Sequence, residues 1–160
     1  MTDAARLVAA LVARGWTLAV AESLTGGALA AEIVSVPGAS ATMLGGVVAY
    51  ATPVKASLLG VDSALLDEHG PVHPEVAAQM AAGVRTALQV DGRPADVALS
   101  TTGIAGPDSP DGQAVGTVHI GIATPVGSYA HTFRFDGDRV AVRAASVHAA
   151  IAAGLSALGE

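Results

Sequence analysis

The 160 residues suffice for one domain whose core buries roughly two thirds of the surface that the unfolded chain exposes. Eight basic against fourteen acidic residues give a net charge of -6 with no Lys/Arg cluster, which argues against a nucleic-acid partner, because phosphate neutralisation needs a concentrated basic surface. The absence of cysteine excludes disulfides, thiolate nucleophiles and cysteine metal sites, and 51% hydrophobic but only 3% aromatic residues imply a core of small aliphatic side chains under a backbone with 19 glycines.

Leu7, Val8, Leu11 and Val12 recur at helical spacing and the pattern stops at Gly15, so the chain opens on a helix. Its first residues lack the basic start and apolar run of a signal peptide, which leaves the cytoplasm as the default expectation. Thr17 to Ala21 reads as a short apolar strand. Thr25-Gly26-Gly27 then opens an Ala-rich helix to about Val34, and Pro37-Gly38 breaks the chain before a second apolar run, Val47 to Tyr50. The uncharged stretch from Ile33 to Val54 is long enough to span a bilayer, but Pro37, Pro53, three glycines and several hydroxyls interrupt it. It reads as a buried active-site region, without membrane contact.

A short helix follows Pro53, and Pro74 to Val90 reads as a long helix with Val76, Met80, Val84 and Leu88 on one face, ended by Asp91-Gly92. Val97 to Leu99 begins a buried strand that enters the Gly/Pro/Asp-rich loop from Gly103 to Gly112. Thr117 to Ala123 and Tyr129 to Phe135 read as a hairpin turning at Pro125-Val126-Gly127-Ser128. The last helix, about Asp138 to Leu158, places Val140, Ala144, Val147, Ile151, Leu155 and Leu158 on one stripe. Its other faces are largely Ala, so burial against a second subunit is expected. Strands alternating with helices predict an α/β domain over residues 1–160: a three-layer α/β/α sandwich with a mostly parallel sheet and an antiparallel hairpin addition.

Ligands of open α/β sheets bind beyond the carboxyl ends of strands, and three loops leave such ends carrying Ser23, Tyr50 with Lys55, and Thr101-Thr102-Gly103. Ser23 at a strand-to-helix junction would lie beside helix N-terminal amides able to hold an oxyanion; taken alone, it reads better as a helix cap. Lys55 ends the uncharged stretch, where desolvation would favour a neutral amine able to act as base for a serine hydroxyl. Tyr50 could relay a proton between the two, and Glu22 is a second candidate for base or for orienting Lys55. The glycines at 26, 27, 103 and 106 would expose amides to a phosphate, and Arg139 and Arg143, four apart on a helix, share a face. The five histidines form no i, i+4 pair within a credible helix, since Gly70 and Pro71 separate His69 from His73, so no metal site is expected.

Taken in order, Ala21-Glu22-Ser23-Leu24-Thr25-Gly26-Gly27, Pro37-Gly38-Ala39-Ser40, Val48-Ala49-Tyr50 with Lys55, and Gly103-Ile104-Ala105-Gly106-Pro107-Asp108 resemble the C-terminal domain family of CinA, the competence/damage-inducible protein. Val115-Gly116-Thr117-Val118 and Gly137-Asp138-Arg139 with Arg143 complete a resemblance that runs nearly end to end and includes stand-alone nicotinamide-nucleotide amidohydrolases. It implies hydrolysis of the carboxamide of nicotinamide mononucleotide to nicotinate mononucleotide and ammonia, without metal or cofactor, by a homodimer. It further implies Ser23 as nucleophile, Tyr50 and Lys55 as the activating pair and Ser40 as a further pocket hydroxyl. Backbone amides near Thr25 to Gly27, or at Thr102 and Gly103, are then the oxyanion donors. Three departures mark this chain: Ala51-Thr52-Pro53 stands where the family has a small residue and then Asn, His73 replaces a serine, and the Asp108 to Gln113 loop carries no basic residue. The alternative is a non-catalytic nucleotide-binding or interaction module, since proteins of this type often join the domain to a separate pyrophosphatase domain.

Overall fold

A computed structural model describes residues 1–110 and 112–160; Asp111, within the expected Gly103 to Gly112 loop, lies outside the described residues. Thr2 caps the first helix, α1 (Asp3–Arg14), by accepting from the Ala5 amide, and Gly15 ends it in the left-handed conformation at φ 63°. The fully buried strand β1 (Leu18–Glu22) leads into helix α2 (Ala28–Val34). A 3-10 turn, Ala39–Ala41, precedes β2 (Met43–Val48). Helices α3 (Thr52–Leu59), α4 (Ser63–His69) and α5 (Pro74–Ala87) follow, then β3 (Val97–Gly103), the hairpin β4 (Thr117–Thr124) and β5 (Gly127–Arg134), and α6 (Arg139–Ala157).

The sheet order is β2-β1-β3-β4-β5, parallel across β2, β1 and β3 and antiparallel from β3 outward, which is the expected parallel unit with a hairpin added at one edge. Glu22 is in register with both Val48 and Thr101, so the carboxyl ends of the three parallel strands form one rim. Whatever follows them is gathered there.

The two faces of the sheet differ in side-chain size. Leu18, Val20, Val97, Leu99, Ile120 and Ile122 point to the layer of α1, α2 and α6. Ala19, Ala21, Ala98 and Ala123 point to α3, α4 and α5, where small residues let a helix backbone approach closely. Ser100 Oγ donates to the Ala77 carbonyl of α5 at 2.6 Å, and a Cβ on Gly121 would fall 2.1 Å from that same oxygen.

The sequence expectations differ from the structure in four places. The second strand starts at Met43, not Val47, because Gly45 and Gly46 mask its pattern; a Cβ on Gly46 would come within 2.9 Å of Val20 Cγ2 and 3.2 Å of Ala30. The strand is also a sheet edge with exposed residues, so the uncharged stretch is not a buried region as a whole; within it, Ala49 is fully buried at the rim. Helix α4 was not expected at all, its short apolar pattern being cut by Gly60 and Gly70. In α6 the buried face runs through Val142, Ser146, Val147, Ala150, Ile151 and Leu155, while Val140 is 72% exposed and Ala144 also faces out. Although α6 is long and apolar enough to cross a membrane, this face packs on α1 and on β3 and β4.

Gly121→Ala should be markedly destabilising, since the added methyl must displace either α5 or Ser100. Overpacking of this kind costs about 1–3 kcal/mol, read as a fall of several degrees in Tm. An unchanged Tm would contradict the tight seating of α5 on β4.

Candidate functional site

Strand alternation decides the roles of the two polar residues that end β1. Glu22 is on the same face as Leu18 and Val20, and its carboxylate accepts from the Leu29 amide at 2.8 Å and the Ala30 amide at 3.0 Å. It is 1% exposed and caps α2, with its charge at the positive end of the helix. That placement removes it as a base or as an orienter of Lys55, and it occupies two of the free amides at the start of α2.

Ser23 is on the opposite face, toward α3. Its amide donates to the Thr101 carbonyl at 3.0 Å, extending the β1–β3 ladder by one step and fixing the residue at the rim. Lys55, one turn into α3, has no exposed surface, and its Nζ lies 2.9 Å from Ser23 Oγ, 2.7 Å from the Ala49 carbonyl and 3.2 Å from the Tyr50 carbonyl. Among the described residues no carboxylate is within ion-pair distance of it.

Burial lowers the Lys55 ammonium from its ordinary 10.5 to about 8. The two carbonyls only accept, so a neutral amine directs its two N–H groups at them and is left with its lone pair toward Ser23. The pair is thus built to take the hydroxyl proton directly.

A cleft of about 510 Å³ opens over this pair. It is lined by Ser23, Leu24 and Lys55 and also by Gly106, Asp108 and Arg139. Thr102 and Gly103 also line it, with Thr102 Oγ1 donating to the Pro71 carbonyl at 2.6 Å. Pro71 and Val72, from the segment between α4 and α5, form a wall that no sequence signal indicated.

Other expected site residues are placed differently. The Tyr50 side chain is 60% exposed and its hydroxyl accepts from Arg139 Nη2 at 3.3 Å, so it stands at the cleft mouth and not between Ser23 and Lys55, which meet without a relay. Ser40 is exposed in the 3-10 turn before β2, at the opposite end of the sheet from Ser23. Thr25 is fully buried, its hydroxyl 2.8 Å from that of Thr101, and Gly26 and Gly27 form the turn behind it with φ of 59° and 104°; none of the three lines the cleft.

Arg139 and Arg143 separate despite their shared helix face. Arg139 donates to the Gly106 carbonyl at 3.0 Å and borders the cleft, whereas Arg143 is turned onto the carbonyls of Leu24 and Thr25. Among the described residues no group of three His, Asp or Glu side chains is arranged to hold a metal ion.

Three backbone amides are open at the cleft, of which the sequence pointed to Gly106 but not to Leu24 or Ala105. The Leu24 amide next to Ser23, and those of Ala105 and Gly106 near Arg139, have no hydrogen-bond acceptor among the described residues, and all three residues border the cleft. Unpaired amides in sheltered positions are rare and mark places where a ligand atom can complete the bonding.

Lys55 also makes stability pH-dependent. Between about 8 and 10.5 the unfolded chain binds more protons at this position than the folded one, so stability rises with pH through that window and the burden is full below it. A shift of this size corresponds to on the order of 3 kcal/mol. Chemical denaturation at pH 7.5 and pH 10 should show this gain in the parent and not in Lys55→Met; equal pH slopes would refute the lowered value.

Comparison with known proteins gives a consistent picture. The family described as the CinA C-terminal domain matches residues 2–158. A CinA-like protein of Frankia casuarinae is 51% identical over 141 residues, 88% of this chain and 31% of its own length, and one of Desulfotalea psychrophila is 47% identical over 84% of this chain and 32% of its own. The chain therefore spans about a third of the length of these curated relatives. Among solved structures, a CinA superfamily protein of Klebsiella pneumoniae superposes with a TM-score of 0.91 at 34% identity, covering 98% of this chain and 96% of the other. One of Escherichia coli gives 0.88 at 31% identity, covering 98% and 88%.

Proposed function

Because this chain belongs to the CinA C-terminal domain family and carries a serine in direct contact with a desolvated lysine, we propose that it is a serine amidohydrolase acting on nicotinamide mononucleotide. The observation that carries the reading is the 2.9 Å contact between Ser23 Oγ and Lys55 Nζ, with Lys55 held near a pKa of 8. A general base is most useful near the working pH, and an amine lowered to about 8 is half neutral at that pH, where an ordinary lysine is almost wholly charged.

The chemistry follows from the pair. Lys55 takes the Ser23 proton as Oγ attacks the carboxamide carbon, and the Leu24 amide receives the developing oxyanion. The protonated Lys55 returns the proton to the departing nitrogen, ammonia leaves, and an ester to Ser23 remains. Water, deprotonated by the now neutral Lys55, attacks that ester and releases the carboxylate while Ser23 regains its proton. The sum is amide plus water to carboxylic acid plus ammonia, which ionise to carboxylate and ammonium.

The part of the cleft around Arg139 suits the phosphate. The Arg139 guanidinium and the Ala105 and Gly106 amides supply charge and donors there, so the cleft offers partners to both the carboxamide and the phosphate of one nucleotide. Asp108 at the same mouth adds an acceptor for the ribose hydroxyls.

The purified protein should release ammonia from nicotinamide mononucleotide, and Ser23→Ala should abolish release while keeping nucleotide binding. A protein that binds but never releases ammonia would instead be the nucleotide-binding module. The rate at low substrate should climb with pH through about 8 and level off above it, because only neutral Lys55 accepts the proton; a profile falling over that range would contradict this role. Lys55→Met should lower kcat by at least about a hundredfold with a much smaller change in binding.

A further inference from the structure

Arg143 makes no contact with the cleft, yet it commits two of its donors to the turn that follows the nucleophile. From α6, its Nε donates to the Leu24 carbonyl and its Nη2 to the Thr25 carbonyl, each at 2.9 Å. These contacts join residues almost 120 positions apart in sequence, across a half-buried guanidinium.

The consequence follows from peptide geometry. In a trans peptide the C=O and the N–H of the next residue point in opposite directions, so fixing a carbonyl fixes the amide behind it. The Gly26 amide donates to the Ser23 carbonyl at 3.1 Å, which sets the plane carrying the Leu24 N–H. Arg143 sets the next two planes, those of the Leu24 and Thr25 carbonyls. Without it, the Leu24 carbonyl would lose its donor and the Thr25 carbonyl would keep only the Ala28 amide, at 3.0 Å, in a turn that already contains a left-handed Gly26; the Gly26 amide, carried on the Thr25 carbonyl's own plane, would then hold the Ser23–Leu24 plane less firmly.

We propose that Arg143 is a positioning residue: it clamps the Leu24 and Thr25 carbonyls so that the Leu24 amide stays aimed at the oxyanion formed on Ser23 attack. This rests on the serine amidohydrolase reading and assigns Arg143 to transition-state geometry in place of phosphate binding. A planar fork spanning two carbonyls is a task for arginine; a lysine, with one nitrogen, holds one of them well.

The test uses the intact protein and a small alkyl fluorophosphonate, whose attack by serine also develops an oxyanion but needs no nucleotide contacts. Mass spectrometry gives the labelling rate at Ser23, and calorimetry gives affinity for nicotinate mononucleotide. Arg143→Met should label roughly 100-fold more slowly, the scale of losing one oxyanion donor, while binding nicotinate mononucleotide as the parent does. Added guanidinium ion should restore part of the rate.

Labelling at the parent rate would overturn the proposal, and so would a parallel loss of nucleotide affinity, which would make Arg143 a ligand contact. If Arg143→Met does not fold, Arg143→Lys replaces it: a loss of roughly tenfold supports the clamp and an unchanged rate refutes it. A parent protein whose Ser23 is never labelled would bring down the amidohydrolase reading itself, an outcome distinct from any of these.

Discussion

A lysine with no exposed surface and no carboxylate partner among the described residues is the constraint around which this fold is arranged. Burying such a group is unfavourable unless its donors are satisfied, and an ammonium without a counter-charge relaxes by losing its proton. Here the satisfaction comes from the Ala49 and Tyr50 carbonyls, which leave β2 at the sheet rim. The same backbone that neutralises the cost of burial orients the lone pair at Ser23. Folding energy and protonation are therefore opposed at Lys55: the stability withheld by desolvation is what lowers its ammonium to about 8.

The sheet supplies the remaining precision. Register places the ends of β1, β2 and β3 side by side, and alternation sends Glu22 to one layer and Ser23 to the other. The small face of the sheet matters for the site as well as for packing. Its Ala side chains seat α5 deeply, with the Ser100 hydroxyl and Gly121 fitted against the Ala77 carbonyl. Since α5 follows directly from the segment that carries Pro71 and Val72, the depth of that helix sets where the cleft wall stands, and the Thr102 hydroxyl ties the wall to β3.

Much of this was legible in the sequence, for identifiable reasons. Ser23 and Lys55 could be found because one follows an apolar strand and the other is a lone cation ending an uncharged stretch, patterns that survive any uncertainty about element ends. The start of β2 was hidden because glycines carry no hydrophobic signal, and α4 because it is two turns long. Tyr50 illustrates a different limit. Its closeness to Lys55 in sequence is real, but the contact is made by its carbonyl, and a sequence records side chains and not the direction of peptide planes. The Leu24 amide was missed for the same reason.

Arg139 and Arg143 show how far a shared helix face can mislead. Four residues is about one turn, some 6 Å along the axis, and this is enough to carry one guanidinium to the cleft mouth and the other behind the turn that follows Ser23. Both use their donors on backbone carbonyls, at Gly106 and at Leu24 and Thr25, so each holds a loop that leaves a strand end. Helix α6 thereby ties the loop after β1 and the loop after β3 to one rigid rod whose buried face is anchored on the sheet. Two loops that border one cleft are kept in fixed relation by a helix that, among the described residues, lends the cleft itself a single side chain, Arg139.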